Sequence, residues 1–134
     1  MTDFPSGRDH DTDFQAIMQD NLDRVFNERD AGARGAAIRD LYVDGAVLYQ
    51  PDNVVTGLDA ISAAVEDLHG TFADDFRFVT TLAGLGHHDM GRLRWEGRSP
   101  GGPVLVTGTD VATLVDGRIS TLHIFLDPQT KAKT

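Results

Sequence analysis

Asp110 is the residue of this chain best placed to do chemistry. It lies inside Gly108-Thr109-Asp110-Val111-Ala112-Thr113-Leu114-Val115, a β-branched apolar run that reads as a sheet-core strand. Strand side chains alternate between faces, so Val106, Gly108, Asp110, Ala112 and Leu114 share one face, apolar apart from the acid. A lone carboxylate on such a face loses hydration in its charged form. Its pKa then rises, which suits it to acid or base work near neutrality. Two other placements fit the same pattern: Asp110 on the solvent face, or held by backbone N–H groups as a structural polar residue.

Other reactive groups are fewer. The 134 residues include no cysteine, which removes disulfides, thiol nucleophiles and thiolate metal sites. His87-His88-Asp89 suggests a metal site, but adjacent histidines on an extended chain point to opposite faces, and the stretch reads as a solvated hairpin turn. No metal is expected. His69 follows an apolar helical pattern and reads as a C-terminal cap facing the helix dipole. The Gly-rich stretch Gly97 to Pro103 has no phosphate-loop pattern. A net charge of −9, without any Lys/Arg block, excludes a phosphate-backbone partner, so no nucleic acid is expected. No apolar stretch reaches the roughly 18 residues of a membrane span, and no signal peptide is visible. These features predict a cytoplasmic protein with no membrane partner.

The elements that position Asp110 can be read from periodicity. Residues 1–11 form an expected flexible N-terminal tail, 12–128 a single domain and 129–134 a C-terminal tail. Thr12 and Gln15 suggest a capping box. Behind it Phe14, Ile17, Met18, Leu22, Val25 and Phe26 recur at helical spacing to about Arg29. A second helix runs through Ile38, Leu41 and Tyr42 and closes at Gly45. Ala46 to Gln50 reads as a strand stopped by Pro51, and Leu58, Ile61, Ala64, Val65 and Leu68 mark a third helix, with Gly70 at its C′ position. Then come strands over Phe76–Leu85, Met90–Arg98, Val104–Val115 and Ile119–Leu126, with Asp116-Gly117 as a hairpin turn. Three helices and an antiparallel meander make an α+β layout with the helices on one face of the sheet.

Three stretches carry a family resemblance. They are Ile38-Arg39-Asp40-Leu41-Tyr42-Val43-Asp44-Gly45-Ala46-Val47; then Gln50-Pro51 with Thr56-Gly57-Leu58-Asp59-Ala60-Ile61; and Gly108-Thr109-Asp110 through Asp116-Gly117-Arg118-Ile119 to Leu126-Asp127. With the order of elements, they resemble the nuclear-transport-factor-2-like superfamily, which includes ketosteroid isomerases and SnoaL-like polyketide cyclases. The resemblance implies three N-terminal helices packed on a strongly curved antiparallel sheet that forms a cone. Ketosteroid isomerases place a general-base Asp where this chain has Gln50, and an oxyanion-hole Tyr that falls on Leu22. Their late-strand Asp falls on Asp110, which SnoaL-like cyclases use as acid/base. A carboxamide cannot abstract a proton at neutral pH and Leu22 cannot donate a hydrogen bond, which argues against steroid isomerisation.

By the same resemblance, Met18, Leu22, Phe26 and Tyr42 line the cone from the helical side. Leu48, Gln50, Val65, Leu93, Trp95, Leu122, Ile124 and Leu126 follow. Gln50 is expected to face Asp110 and to orient its carboxyl or a bound carbonyl. His123, Thr121 and Phe125, beside Arg92 and Arg94, fall on the outer sheet face, where the family forms homodimers. The expected function is a pocket for a small hydrophobic molecule, with Asp110 as acid/base of a cofactor-independent cyclase, isomerase or lyase. A non-catalytic ligand-binding or dimeric interaction domain is the alternative.

Overall fold

A computed structural model of the chain describes residues 12–128, so the expected tails at 1–11 and 129–134 lie outside the described residues. α1 (Phe14–Asp20) runs directly into a π-helical turn, Asn21–Phe26, in which the Asn27 N–H reaches the Leu22 carbonyl at 2.9 Å. The N-cap is Asp13, not Thr12: its carboxylate accepts from the Ala16 N–H at 2.9 Å. Gln15 is likewise not part of a capping box. Its side-chain oxygen accepts from the Gly84 N–H, tying α1 to the sheet. α2 (Ala31–Leu41) is capped by Asp30.

β1 (Tyr42–Gln50) begins at once, four residues earlier than expected, and Gly45 lies exposed within it rather than closing a helix. Tertiary pairing overrides the local break: Tyr42 is already opposite Ile119, and its ring is fully buried. A Pro51-Asp52 turn leads to a short strand, β2 (Asn53–Thr56), that four residues of pattern could not announce. α3 (Leu58–His69) buries Ile61 and Val65 and ends on Gly70, which stays right-handed at φ −69°. Then follow β3 (Arg77–His87), β4 (Met90–Arg98), β5 (Val106–Val115) and β6 (Arg118–Leu126).

The strands form one sheet in the order β2-β1-β6-β5-β4-β3. It is mixed rather than wholly antiparallel, because β1 lies parallel to β6 across the chain's long connection. Two of the three two-residue hairpin turns have positive φ at their central positions, 51° and 60° at His88-Asp89 and 51° and 80° at Asp116-Gly117, while Pro51-Asp52 does not. That backbone matches the twist of the flanking strands. Alternation along β4 and β5 holds: Gly91, Leu93, Trp95 and Gly97 are buried, as are Gly108, Asp110, Ala112 and Leu114. The helices cover that face.

Candidate active site

Asp110 sits in the middle of β5, opposite Leu93 on β4 and Ile124 on β6, and is only 3% exposed. What holds it is Trp95, whose indole Nε1–H donates to Oδ1 at 2.9 Å. The geometry depends on a glycine. Trp95 is opposite Gly108, and a Cβ there would stand 2.6 Å from both the indole Cζ2 and the Phe125 carbonyl oxygen. With no side chain at 108, the indole lies across the strand and reaches the acid two residues on. Phe78 meets the indole edge-on at 5.1 Å, Phe76 packs on Phe78, and Phe72 stacks on Phe76 at 3.8 Å, so the donor is aimed by an aromatic wall.

Burial pushes the Asp110 carboxyl up to about 7, against the Trp95 hydrogen bond, which favours the charged form and pulls it down. Close by, Tyr42 donates its hydroxyl proton to the Asn21 side-chain oxygen. Burial, followed by the negative charge of Asp110, drives the Tyr42 phenol well above its ordinary range, so it stays neutral. The Asn21 amide nitrogen is buried without a hydrogen-bond partner.

A cavity of about 700 Å³ opens beside the acid. Of the residues expected to line it, Asp110, Trp95, Gln50, Leu22, Phe26, Ile124 and Leu126 do. Tyr42, Met18, Leu48, Val65, Leu93 and Leu122 are not in its wall; they are packed in the buried core around it. Gln50 does not face Asp110 as a partner. Its amide donates to the Asn53 side chain at 2.7 Å, because the two residues are opposite across the tight β1–β2 hairpin. Reading the sequence missed Phe72, Phe78 and the α3 face. Yet Ala60, Ala63, Ala64, Asp67 and Leu68 all line the cavity at i, i+3, i+4, i+7 and i+8. That stripe of small side chains was a legible signal of space left beside a helix.

The other candidates lie elsewhere. The His69 ring meets the Phe26 carbonyl at 2.7 Å, joining α3 to the π-helical turn rather than capping its own helix. His87 and His88 touch ring to ring in the β3–β4 turn, and among the described residues no group of three His, Cys, Asp or Glu could hold a metal ion. On the outer sheet face His123 stacks between Tyr49 at 4.3 Å and Phe125 at 6.2 Å. Arg94 pairs there with Asp127 and donates to Thr109, while Arg92 donates to the Ala83 carbonyl at 3.4 Å.

The SnoaL-like domain profile matches residues 20–122, from the end of α1 into β6, and includes α2, α3 and the Trp95–Asp110 pair. The chain belongs to the SnoaL-like domain family. No curated protein matches it. A candidate isomerase of the SnoaL-like family from Agrobacterium tumefaciens is 29% identical, with a TM-score of 0.79 over 86% of this chain and 97% of that one. A candidate ketosteroid isomerase from Kribbella flavida shares 15% identity and a TM-score of 0.68, covering 90% and 82% of the two chains. A candidate SnoaL-like polyketide cyclase from Jannaschia sp. CCS1 shares 16% identity and a TM-score of 0.67, covering 95% and 92%. At these identities the last two report the fold alone. Within the SnoaL-like frame, no helix among the described residues is long and apolar enough to cross a membrane.

Proposed function

We propose that this SnoaL-like domain binds a small hydrophobic molecule in the cavity and moves a proton on it through Asp110, in a cyclase, isomerase or lyase reaction that draws on no cofactor. The observation that carries the reading is the carboxyl itself: buried, hydrogen-bonded by Trp95 and brought to about 7, in the wall of an apolar cavity. A group that titrates near the working pH can take a proton from a carbon beside a carbonyl and return it elsewhere. Such transfer supplies about 10²- to 10⁴-fold acceleration. In its neutral form Asp110 donates to a developing oxyanion or leaving oxygen. In its charged form it is the base, and the Trp95 N–H stabilises that form.

Turnover of hydrophobic ketones and hydroxyketones by wild type and Asp110→Asn tests this. Loss of turnover in the variant, with a wild-type pH profile inflecting near 7, is the expected result. Equal rates in the two proteins would make Asp110 structural. One observation favours non-catalytic binding as the second reading: Gln50 occupies the isomerase base position and its amide is tied to Asn53.

The outer sheet face is the proposed homodimer contact, supported by the Tyr49–His123–Phe125 stack and by Phe125 at 55% exposure. A cytoplasmic location rests on the acidic, cysteine-free composition.

A further inference from the structure

The cavity offers carboxyl groups and aromatic rings but no cationic side chain among the described residues. Asp110 lies in its wall, and Asp52 in the β1–β2 turn and Asp67 near the end of α3 add two exposed carboxylates to the same lining. Among the described residues, no Lys, Arg or His lines it. Neighbouring cationic side chains are engaged outside the wall, Arg29 on the Ala73 carbonyl at 2.9 Å and the His69 ring on the Phe26 carbonyl at 2.7 Å. Phe26, Phe72, Phe78 and Trp95 supply the aromatic part of the lining.

These are two independent chemistries that favour the same ligand charge. Carboxylates attract a cation directly, and ring faces attract it through their quadrupole. A cleft lined by one sign of charge on low-dielectric walls enriches the opposite charge by on the order of 10- to 10³-fold. An anionic ligand would meet the Asp52 and Asp67 carboxylates, and Asp110 whenever it is ionised, with no cationic partner in the lining.

We propose that the cavity selects apolar molecules carrying a basic amine, with Asp52 and Asp67 meeting the ammonium group and the aromatic wall taking the apolar body. The proposal rests on the reading of this cavity as a ligand site and names the class of ligand.

Trp95 is the only tryptophan of the chain and lies in the wall, so its emission reports occupancy. Three probes of matched shape suffice: 1-adamantanemethylamine, 1-adamantanemethanol and 1-adamantanecarboxylate. At low salt the amine binds at least about tenfold more tightly than the carboxylate, with the alcohol between them. The ratio shrinks as salt rises, because the two rim acids are exposed. In the Asp52→Asn/Asp67→Asn variant, with thermal melting as the check on folding, the ratio falls to near one. If that variant does not fold, the two single variants and the salt series decide the matter. Equal or tighter binding of the carboxylate, or a ratio untouched by the substitutions, overturns the proposal. An alcohol that binds while the amine gains nothing overturns charge selection alone. No response from any probe overturns it together with the ligand-site reading.

Discussion

At Asp110 burial and a single indole hydrogen bond pull the proton affinity in opposite directions, and burial wins by raising the carboxyl from 3.8 to about 7. Below about pH 4 the group is neutral in both folded and unfolded chains. Between about 4 and 7 the folded chain keeps a proton that the unfolded chain has released, so this group's contribution to stability is lost as pH rises through that window. The loss amounts to about 4 kcal/mol. Asp110→Asn keeps the shape and the oxygen that faces Trp95 but cannot ionise. Its urea midpoint is therefore expected to exceed that of wild type at pH 8, with the gap closing towards pH 4; parallel curves at all pH values would contradict the raised carboxyl. A carboxyl-carbon NMR titration reads the same midpoint directly. In Trp95→Phe the donor that favours the charged form is gone, so the midpoint should move up from about 7. A downward move would mean that Trp95 does not hold the acid.

Among the elements, β5 and the α2–α3 pair carry the constraints that position the site. Gly108 leaves the space in which the Trp95 indole lies, and a methyl group there would meet ring and backbone at 2.6 Å. Gly108→Ala is expected to cost about 1–3 kcal/mol and to shift Trp95 emission to the red as the ring is displaced. Equilibrium denaturation followed by fluorescence checks both effects at once. Arg34 on α2 is 1% exposed, and its guanidinium reaches Ser62 and Glu66 on α3 and the Glu28 carbonyl. α3 is anchored by its buried Ile61 and Val65, and this polar tie adds a second attachment on α2. Arg34→Ala should lower stability by about 2–4 kcal/mol, measured by urea unfolding, because it leaves a void and an unpaired carbonyl. A loss below about 0.5 kcal/mol would show that α3 is held by its apolar contacts alone.

For the whole molecule, charge and the outer sheet face set what can approach. A net charge of −9 keeps copies apart over long range, yet the outer sheet face puts an aromatic stack beside an Arg94–Asp127 pair. Phe125, exposed at the end of that stack, is the residue to test. Phe125→Asp is expected to convert a dimer to a monomer in light scattering at micromolar concentration, leaving the wild-type melting profile of the monomer fold. If wild type already scatters as a monomer, the outer face is not a dimer contact.

The α+β layout was legible in the amino-acid sequence because periodicity follows burial. Apolar spacing marked all three helices, alternation marked β3 to β6 to within a few residues, and Asp116-Gly117 marked its hairpin. Asp110 stood out for the same local reason, as a charge on an apolar strand face. What tertiary structure alone decided is what depends on residues far apart in the chain. Trp95 and Asp110 become partners because antiparallel register places Gly108 opposite the indole, and no local signal encodes that register. Gln50 turns to Asn53 and away from Asp110 because a strand of only four residues folds back beside it. Tyr42 starts a strand where Gly45 suggested a stop because Ile119, distant in sequence, supplies the pairing. Which aliphatic side chains face the cavity and which fill the core is likewise a matter of packing: both kinds leave the same period in the sequence, and only the volume left over between α3 and the sheet separates them.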